Sequence, residues 1–299
     1  MLRQLAMYTD TINRRTLMVF SALAQQRWDE VMALGADLVC FDLEDGTAMD
    51  RKDEARERCL AQFETKLAAR STAPGSARAL LRINSPRTLH GIKDLAAVAQ
   101  MLHPPQGLVL PKVECAADVT LVAEVLAEND TEIELIPLIE SQAGVRNAQQ
   151  IAGSSDNVSA LFLGSVDLSG ELGSDMGWDA LYRARSQLVE ATSEAGIDCI
   201  DGPWLDVENQ HGLQEELLRL ASMGFTGKAS YDAIQIAPIH AAFTPSVEQI
   251  DFASRVIEAV ASSETGGARV DGRSVNKANA KAAARVVELA RRRGVFKDG

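Results

Sequence analysis

The sequence predicts a (β/α)8 barrel, and three observations predict it. Short apolar runs alternate with longer helical stretches roughly eight times along the chain. The stretches between runs are long enough for parallel crossovers rather than hairpins. Polar or charged residues gather at the C-terminal end of nearly every run: Glu44 and Asp45, Arg82 and Asn84, Lys112 and Glu114, Glu140, Asp167, Asp201 and Lys228. A barrel collects those ends on one face around one pocket, whereas an open doubly wound sheet spreads them along a line. The open sheet also usually carries a glycine-rich turn after its first strand, and Ser21-Ala22-Leu23-Ala24 has no glycine.

In chain order, after a polar leader, Arg15–Phe20 reads as the first strand. Gln25 to Leu34 follows as a helix closed by Gly35. Ala36–Phe41 is the second strand and runs into the acidic cluster Asp42-Leu43-Glu44-Asp45-Gly46. A charge-rich helix then spans Arg51 to Arg70, and Ser71–Ser76 is a loop. Ala79–Asn84 is a strand backed by a helix over Gly91–Leu102, and Gly107–Lys112 a strand backed by Ala116–Leu126. Leu135–Ile139 ends in Glu140, and Leu161–Leu163 is followed by Gly164, Ser165, Val166 and Asp167. Trp178–Glu194 is a long helix before the strand at Gly196–Gly202. Val207–Met223 is a helix before the last strand, Gly224–Ala229.

Beyond the eight units, Phe243–Ser246 reads as a turn and N-cap into a helix over Glu248–Ser262. A hairpin at Ala268–Val275 and an amphipathic helix over Lys277–Arg293 complete the chain. The expected division is therefore a barrel over residues 12–242 and an appendage over 243–299, placed to cover the pocket or pack on a neighbouring subunit.

A chain of 299 residues can bury a substantial core. Its formal net charge of −12 argues against a nucleic-acid partner, because phosphate contacts need a basic face. Cys40, Cys59, Cys115 and Cys199 are scattered, with no histidine at ligand spacing, so neither zinc nor a disulfide framework is expected. No run is long enough to span a bilayer and no secretory leader is apparent, so a cytoplasmic protein without a membrane partner is expected.

Glu140 and Asp167 each end an apolar run. Two carboxylates from neighbouring buried strands suit a divalent cation with oxygen ligands, which can steady a negatively charged substrate. Each carboxylate alone also suits a helix N-cap or a salt bridge. Lys112 is read as a rim partner of Glu114, and Asp201 as part of the pocket floor or of a turn with Gly202. The four histidines share no strand end and are read as surface or core residues.

Nine segments, in order, carry a resemblance: Phe41–Asp45, Leu81–Asn84, Leu110–Glu114, Leu138–Glu140, Gly164–Leu168, Asp201-Gly202, Gly224–Lys228, Phe243–Pro245 and Val270–Arg273. On them the chain resembles the citrate lyase β-subunit-like (CitE-like) family of the HpcH/HpaI aldolase/citrate lyase superfamily. That resemblance implies a barrel of the phosphoenolpyruvate/pyruvate type and a carbon–carbon lyase. Mg²⁺, or Mn²⁺ in its place, would be held by Glu140 and Asp167. Arg82 would bind a carboxylate or thioester oxygen, Gly164 and Ser165 would offer backbone N–H groups to the substrate carboxylate, and Glu44 and Asp45 would act on the same rim. The implied partners are a small keto or hydroxy acid or its CoA thioester, within a homo-oligomer such as a trimer.

The chain also departs from the pattern. Ser21-Ala22 stands where relatives have Pro-Gly, and Val166 where a glutamate is common. Ala229-Ser230-Tyr231-Asp232 replaces Ile-His-Pro, and Asn276 stands where an aspartate reaches a neighbour's site. An amide exchanges no proton near neutral pH. These departures frame a second reading, a degenerate relative that binds a keto acid or acyl-CoA without turnover, and a third, a β component that needs an acyl-carrier partner.

Overall fold

The computed structural model describes residues 12–23, 27–69, 76–128 and 133–296. Residues 1–11 of the polar leader, the start of the helix expected from Gln25, Arg70 and the loop over Ser71–Gly75 lie outside the described residues. Eight parallel strands close into a barrel in sequence order, with the last paired to the first. They are β1 Thr16–Ser21, β2 Leu38–Asp42, β3 Arg78–Arg82, β4 Gly107–Leu110, β5 Glu134–Ile139, β6 Ala160–Leu163, β7 Asp198–Asp201 and β8 Gly227–Ser230. The helices of this part are α1 Trp28–Met32, α2 Lys52–Ala68, α3 Leu89–Val98, α4 Ala116–Ala127, α5 Gln142–Arg146, α6 Ala148–Ala152, α7 Ser165–Leu172, α8 Trp178–Ala195, α9 Gln210–Met223 and α10 Ile236–Ala242. The short apolar runs become strands because both faces are covered, one by the barrel interior and one by helices.

Strand parity decides what each side chain meets. The interior is filled by Leu17, Leu38 and Cys40, Leu80, Val109, Ile136 and Leu138, Ala160 and Phe162, Ile200 and Ala229. Continuing each alternation toward the C-terminal ends brings Asp42, Arg82, Glu140 and Gly164 onto the inward parity. The opposite parity packs outward: Phe41 stacks on Trp28 of α1 with centroids 4.4 Å apart and meets Phe63 of α2 edge-on at 5.7 Å. Each such aromatic pair adds about 0.5–1.5 kcal/mol beyond its buried area.

The N-terminal end of the barrel is closed by charge pairs. Buried Arg14 reaches Glu134 at the start of β5 and Asp198 at the start of β7, and Arg78 also meets Glu134. No described helix is long and apolar enough to cross a membrane.

Two compact units divide at residues 239 and 240. The second takes residues 240–296 with Ile12 and Asn13, and is built on α11 Val247–Ala261, the antiparallel pair β9 Gly267–Val270 and β10 Arg273–Asn276, and α12 Lys277–Arg292. Asp271 and Gly272 turn the hairpin with φ of 49° and 78°, the left-handed pair that a two-residue hairpin loop needs. Ala253, Val256, Val260, Val270, Val275, Ala283 and Val287 form its own core.

Candidate active site

A pocket opens at the C-terminal mouth of the barrel. Its floor is apolar, with Leu17, Val19, Cys40, Val109, Leu138 and Phe162, and Arg82, Glu140, Gly164, Ser165, Asp167 and Tyr231 line it nearer the rim. The pocket is small, with a volume of about 40 Å³.

Arg82 ends β3 and is held by a residue the sequence reading did not single out. Its Nε and Nη2 donate to Asp42 Oδ1 and Oδ2 at 2.7 and 2.5 Å. Asp42, buried at the end of β2, also accepts the backbone N–H groups of Glu44 and Gly46 at 2.8 and 2.7 Å. A Cβ at position 46 would strike the Asp42 carboxylate, so glycine is required there. The fork on Asp42 leaves the Nη1 side of the guanidinium facing Glu44, with Glu44 Oε2 at 3.3 Å. Burial works against the Arg82 charge, but the Asp42 hydrogen bonds outweigh it and hold the group a cation. Burial pushes the Glu44 carboxyl above the usual range, opposed by Arg82.

Glu140 follows β5, is 3% exposed, and its Oε1 accepts the backbone N–H of Lys112 at 2.7 Å. Burial pushes its pKa up to about 7, against the pull of Lys112. Gly164 lies against it, and a Cβ there would collide with the Glu140 side chain. Asp167 is not at a strand end, which corrects the sequence reading. β6 stops at Leu163, and Asp167 sits in the first turn of α7. The carboxylate therefore reaches the pocket from a helix N-terminus, where the dipole favours negative charge.

Gly164 is the N-cap of α7, and no side chain caps that helix. The first-turn N–H groups of any helix have no intrahelical acceptor, so those after Gly164 are available to an anion. Ser165 Oγ is buried beside them without a hydrogen-bond partner.

Lys112 is the largest difference from the sequence reading. Glu114 pairs with Arg87 instead, at 2.5 Å. The Lys112 ammonium lies 2.7 Å from Asp167 Oδ1, 3.5 Å from Glu140 Oε1, and 3.8 Å from both Glu44 Oε1 and Asp45 Oδ2. Burial opposes its charge, but the Asp167 hydrogen bond and the surrounding carboxylates prevail and raise its pKa. On strand parity Lys112 would turn away from Val109's side. The chain leaves the extended conformation at that residue, with φ of 56°.

Asp201 and Lys228 also differ from expectation. Ile200 and Ala229 face the interior, so their neighbours face outward. Lys228 Nζ, fully buried, donates to Asp201 Oδ2, Gly202 O and Glu216 Oε1 at 2.7, 2.6 and 2.7 Å, and Arg185 completes the cluster on Asp201. This group ties the barrel to α8 and α9 and does not line the pocket. Asp45 is 63% exposed in its side chain and stands on the rim. Asn276 accepts the backbone N–H groups of Ala278 and Asn279 as the N-cap of α12. All four cysteines are free.

The family model described as HpcH/HpaI aldolase/citrate lyase matches residues 16–233. The chain is 30% identical over 266 residues to the (3S)-malyl-CoA thioesterase of Cereibacter sphaeroides, covering 87% of this chain and 89% of that protein. It is 28% identical to the mitochondrial citramalyl-CoA lyase of Homo sapiens, covering 83% and 76%. Among solved structures, CitE from Mycobacterium tuberculosis in complex with magnesium, acetoacetate and coenzyme A aligns with a TM-score of 0.75 at 27% identity, covering 94% of this chain and 99% of that one.

Proposed function

The chain belongs to the HpcH/HpaI aldolase/citrate lyase family, and from that premise we propose that it is a Mg²⁺-dependent carbon–carbon lyase. Its substrate would be a small β-hydroxy acid or the CoA thioester of one. The observation that carries the reading is a fixed arginine and two carboxylates on one small pocket: Arg82 pinned by Asp42, facing Glu140 and Asp167 at the barrel mouth.

The residues fit a hard divalent cation. Among the described residues no three His, Cys, Asp or Glu side chains form a ready cage, but Mg²⁺ usually takes one or two carboxylates and completes its shell with water and substrate. Gly164 leaves the Glu140 carboxylate room that a Cβ would fill. The cluster of four acids around one ammonium is a site built for positive charge. Glu140 and Asp167 would hold the ion, and when bound it would supply electrophilic stabilisation of the developing enolate.

The chain's own groups do the rest. The free N–H groups after Gly164 bind the substrate carboxylate, and the Nη1 edge of Arg82 takes the oxygen on which charge develops. Glu44, beside Arg82 and with its pKa raised, takes the proton of the substrate hydroxyl as that oxygen becomes the keto oxygen and the carbon–carbon bond opens, and returns a proton to the enolate carbon of the shortened fragment. The pocket at the barrel mouth suits the acid head, and a CoA moiety would extend from it toward the rim. The relatives named for CoA esters and the CitE complex containing coenzyme A support that class.

A second reading rests on Asn276, whose side chain is committed to capping α12 and supplies no acid: a relative that binds without turnover. Incubation of malyl-CoA, citramalyl-CoA and the free hydroxy acids with Mg²⁺ separates these. A keto acid appearing with the shortened thioester supports the lyase. Binding without product favours the second reading, and free CoA without keto acid would indicate hydrolysis.

A further inference from the structure

Four carboxylates share one ammonium, and its distances are unequal. Only Asp167 Oδ1, at 2.7 Å, is within hydrogen-bonding reach, while the other three oxygens stand 3.5 to 3.8 Å away. Lys112 is also attached to the cluster a second time, through its backbone N–H on Glu140 Oε1. The two attachments differ in freedom. The N–H is fixed by the backbone, whereas the side chain is 38% exposed and carries its ammonium on a flexible four-carbon stem.

We propose that the Lys112 ammonium and a divalent cation are alternative occupants of this carboxylate nest. Lys112 holds Asp167, Glu140, Glu44 and Asp45 together, and it swings out over the rim when a divalent cation takes Glu140 and Asp167. The inference rests on the metal site of the lyase reading. Mg²⁺ needs oxygens at about 2.0–2.1 Å. An ammonium lying on Asp167 Oδ1 and near Glu140 Oε1 blocks that approach, and two cations between the same oxygens repel. The backbone N–H stays on Glu140 in both states, so that ligand remains oriented after the exchange. Lys112 is thus a positioning residue rather than a catalytic one.

The test uses the wild-type full-length chain. Brief amine acetylation is read by mass spectrometry across a MgCl₂ titration, with exposed Lys93 as the internal reference. The exchange predicts that Lys112 modification rises about fivefold or more and saturates with Mg²⁺. Modification that stays flat or falls at saturating Mg²⁺ overturns it. In parallel, K112M should bind Mg²⁺ about tenfold more tightly by calorimetry and melt lower without Mg²⁺ but not with it. Unchanged or weaker affinity in K112M contradicts the exchange. D167N and E140Q separate the two levels. If Mg²⁺ binding survives in both, the metal site itself is misplaced. If binding is lost in both while Lys112 labelling is indifferent to Mg²⁺, the exchange alone fails.

Discussion

At the scale of single residues, charge state and geometry are set by neighbours whose identity the sequence shows but whose parity must be counted. Asp42 stands two residues after Cys40 and four after Leu38, so once the interior positions are known it must face the pocket, and it is the residue that fixes Arg82. The same count sends Asp201 and Lys228 outward, and an acid or base at a strand end is therefore not by itself a pocket residue. Lys112 escapes counting, because a left-handed φ in a lysine carries no sequence signal. Two predictions belong here. Arg82→Lys keeps the charge opposite Asp42 but loses the fork, and turnover should fall about a hundredfold with little change in melting temperature. Glu140, with its pKa pushed up to about 7, must ionise to serve as a ligand. Mg²⁺ affinity should then drop about tenfold per pH unit below that value in calorimetry, flattening above it. The stability sign is the reverse. Between the ordinary glutamate pKa and about 7 the folded chain binds more protons than the unfolded one, so without Mg²⁺ it loses stability as pH rises through that window. E140Q should reduce that slope, leaving the part that Glu44 contributes.

At the scale of elements, the strands were legible because each is a short buried run bounded by polar residues, and every one of the eight overlaps its expected segment, several running one residue past it. The helix α7 shows what was not legible. Asp167 reads as the end of an apolar run, yet β6 stops at Leu163, the backbone turns at Gly164 and Asp167 enters on the first helical turn. A short strand and a helix N-terminus share small residues, and at the turn Gly164 packs against the Glu140 side chain. Gly164→Ala should therefore cost about 1–3 kcal/mol of stability, seen as a lower melting temperature, and weaken Mg²⁺ binding. In the second unit, Asn276→Ala removes the α12 cap and should cost about 1 kcal/mol, whereas Asn276→Asp, an equally good N-cap, should leave the melting temperature near that of the wild type.

At the scale of the whole molecule, the two ends of the barrel use charge differently. The N-terminal end buries its ions as closed pairs, with Arg14 on Glu134 and Asp198, and the C-terminal mouth gathers Glu44, Asp45, Glu140 and Asp167 around a single ammonium. A surplus of carboxylate on one open face is where a divalent cation and an anionic substrate meet most favourably. The net charge of −12 makes that meeting depend on the local arginine and helix N-terminus, since the chain as a whole repels anions. The most direct measurement is calorimetry of Mg²⁺ binding to the wild-type chain, E140A and D167A in the presence of pyruvate or oxaloacetate. Saturable binding to the wild type that is lost in both variants is the predicted result, and Mg²⁺ affinity unchanged in both would contradict the account.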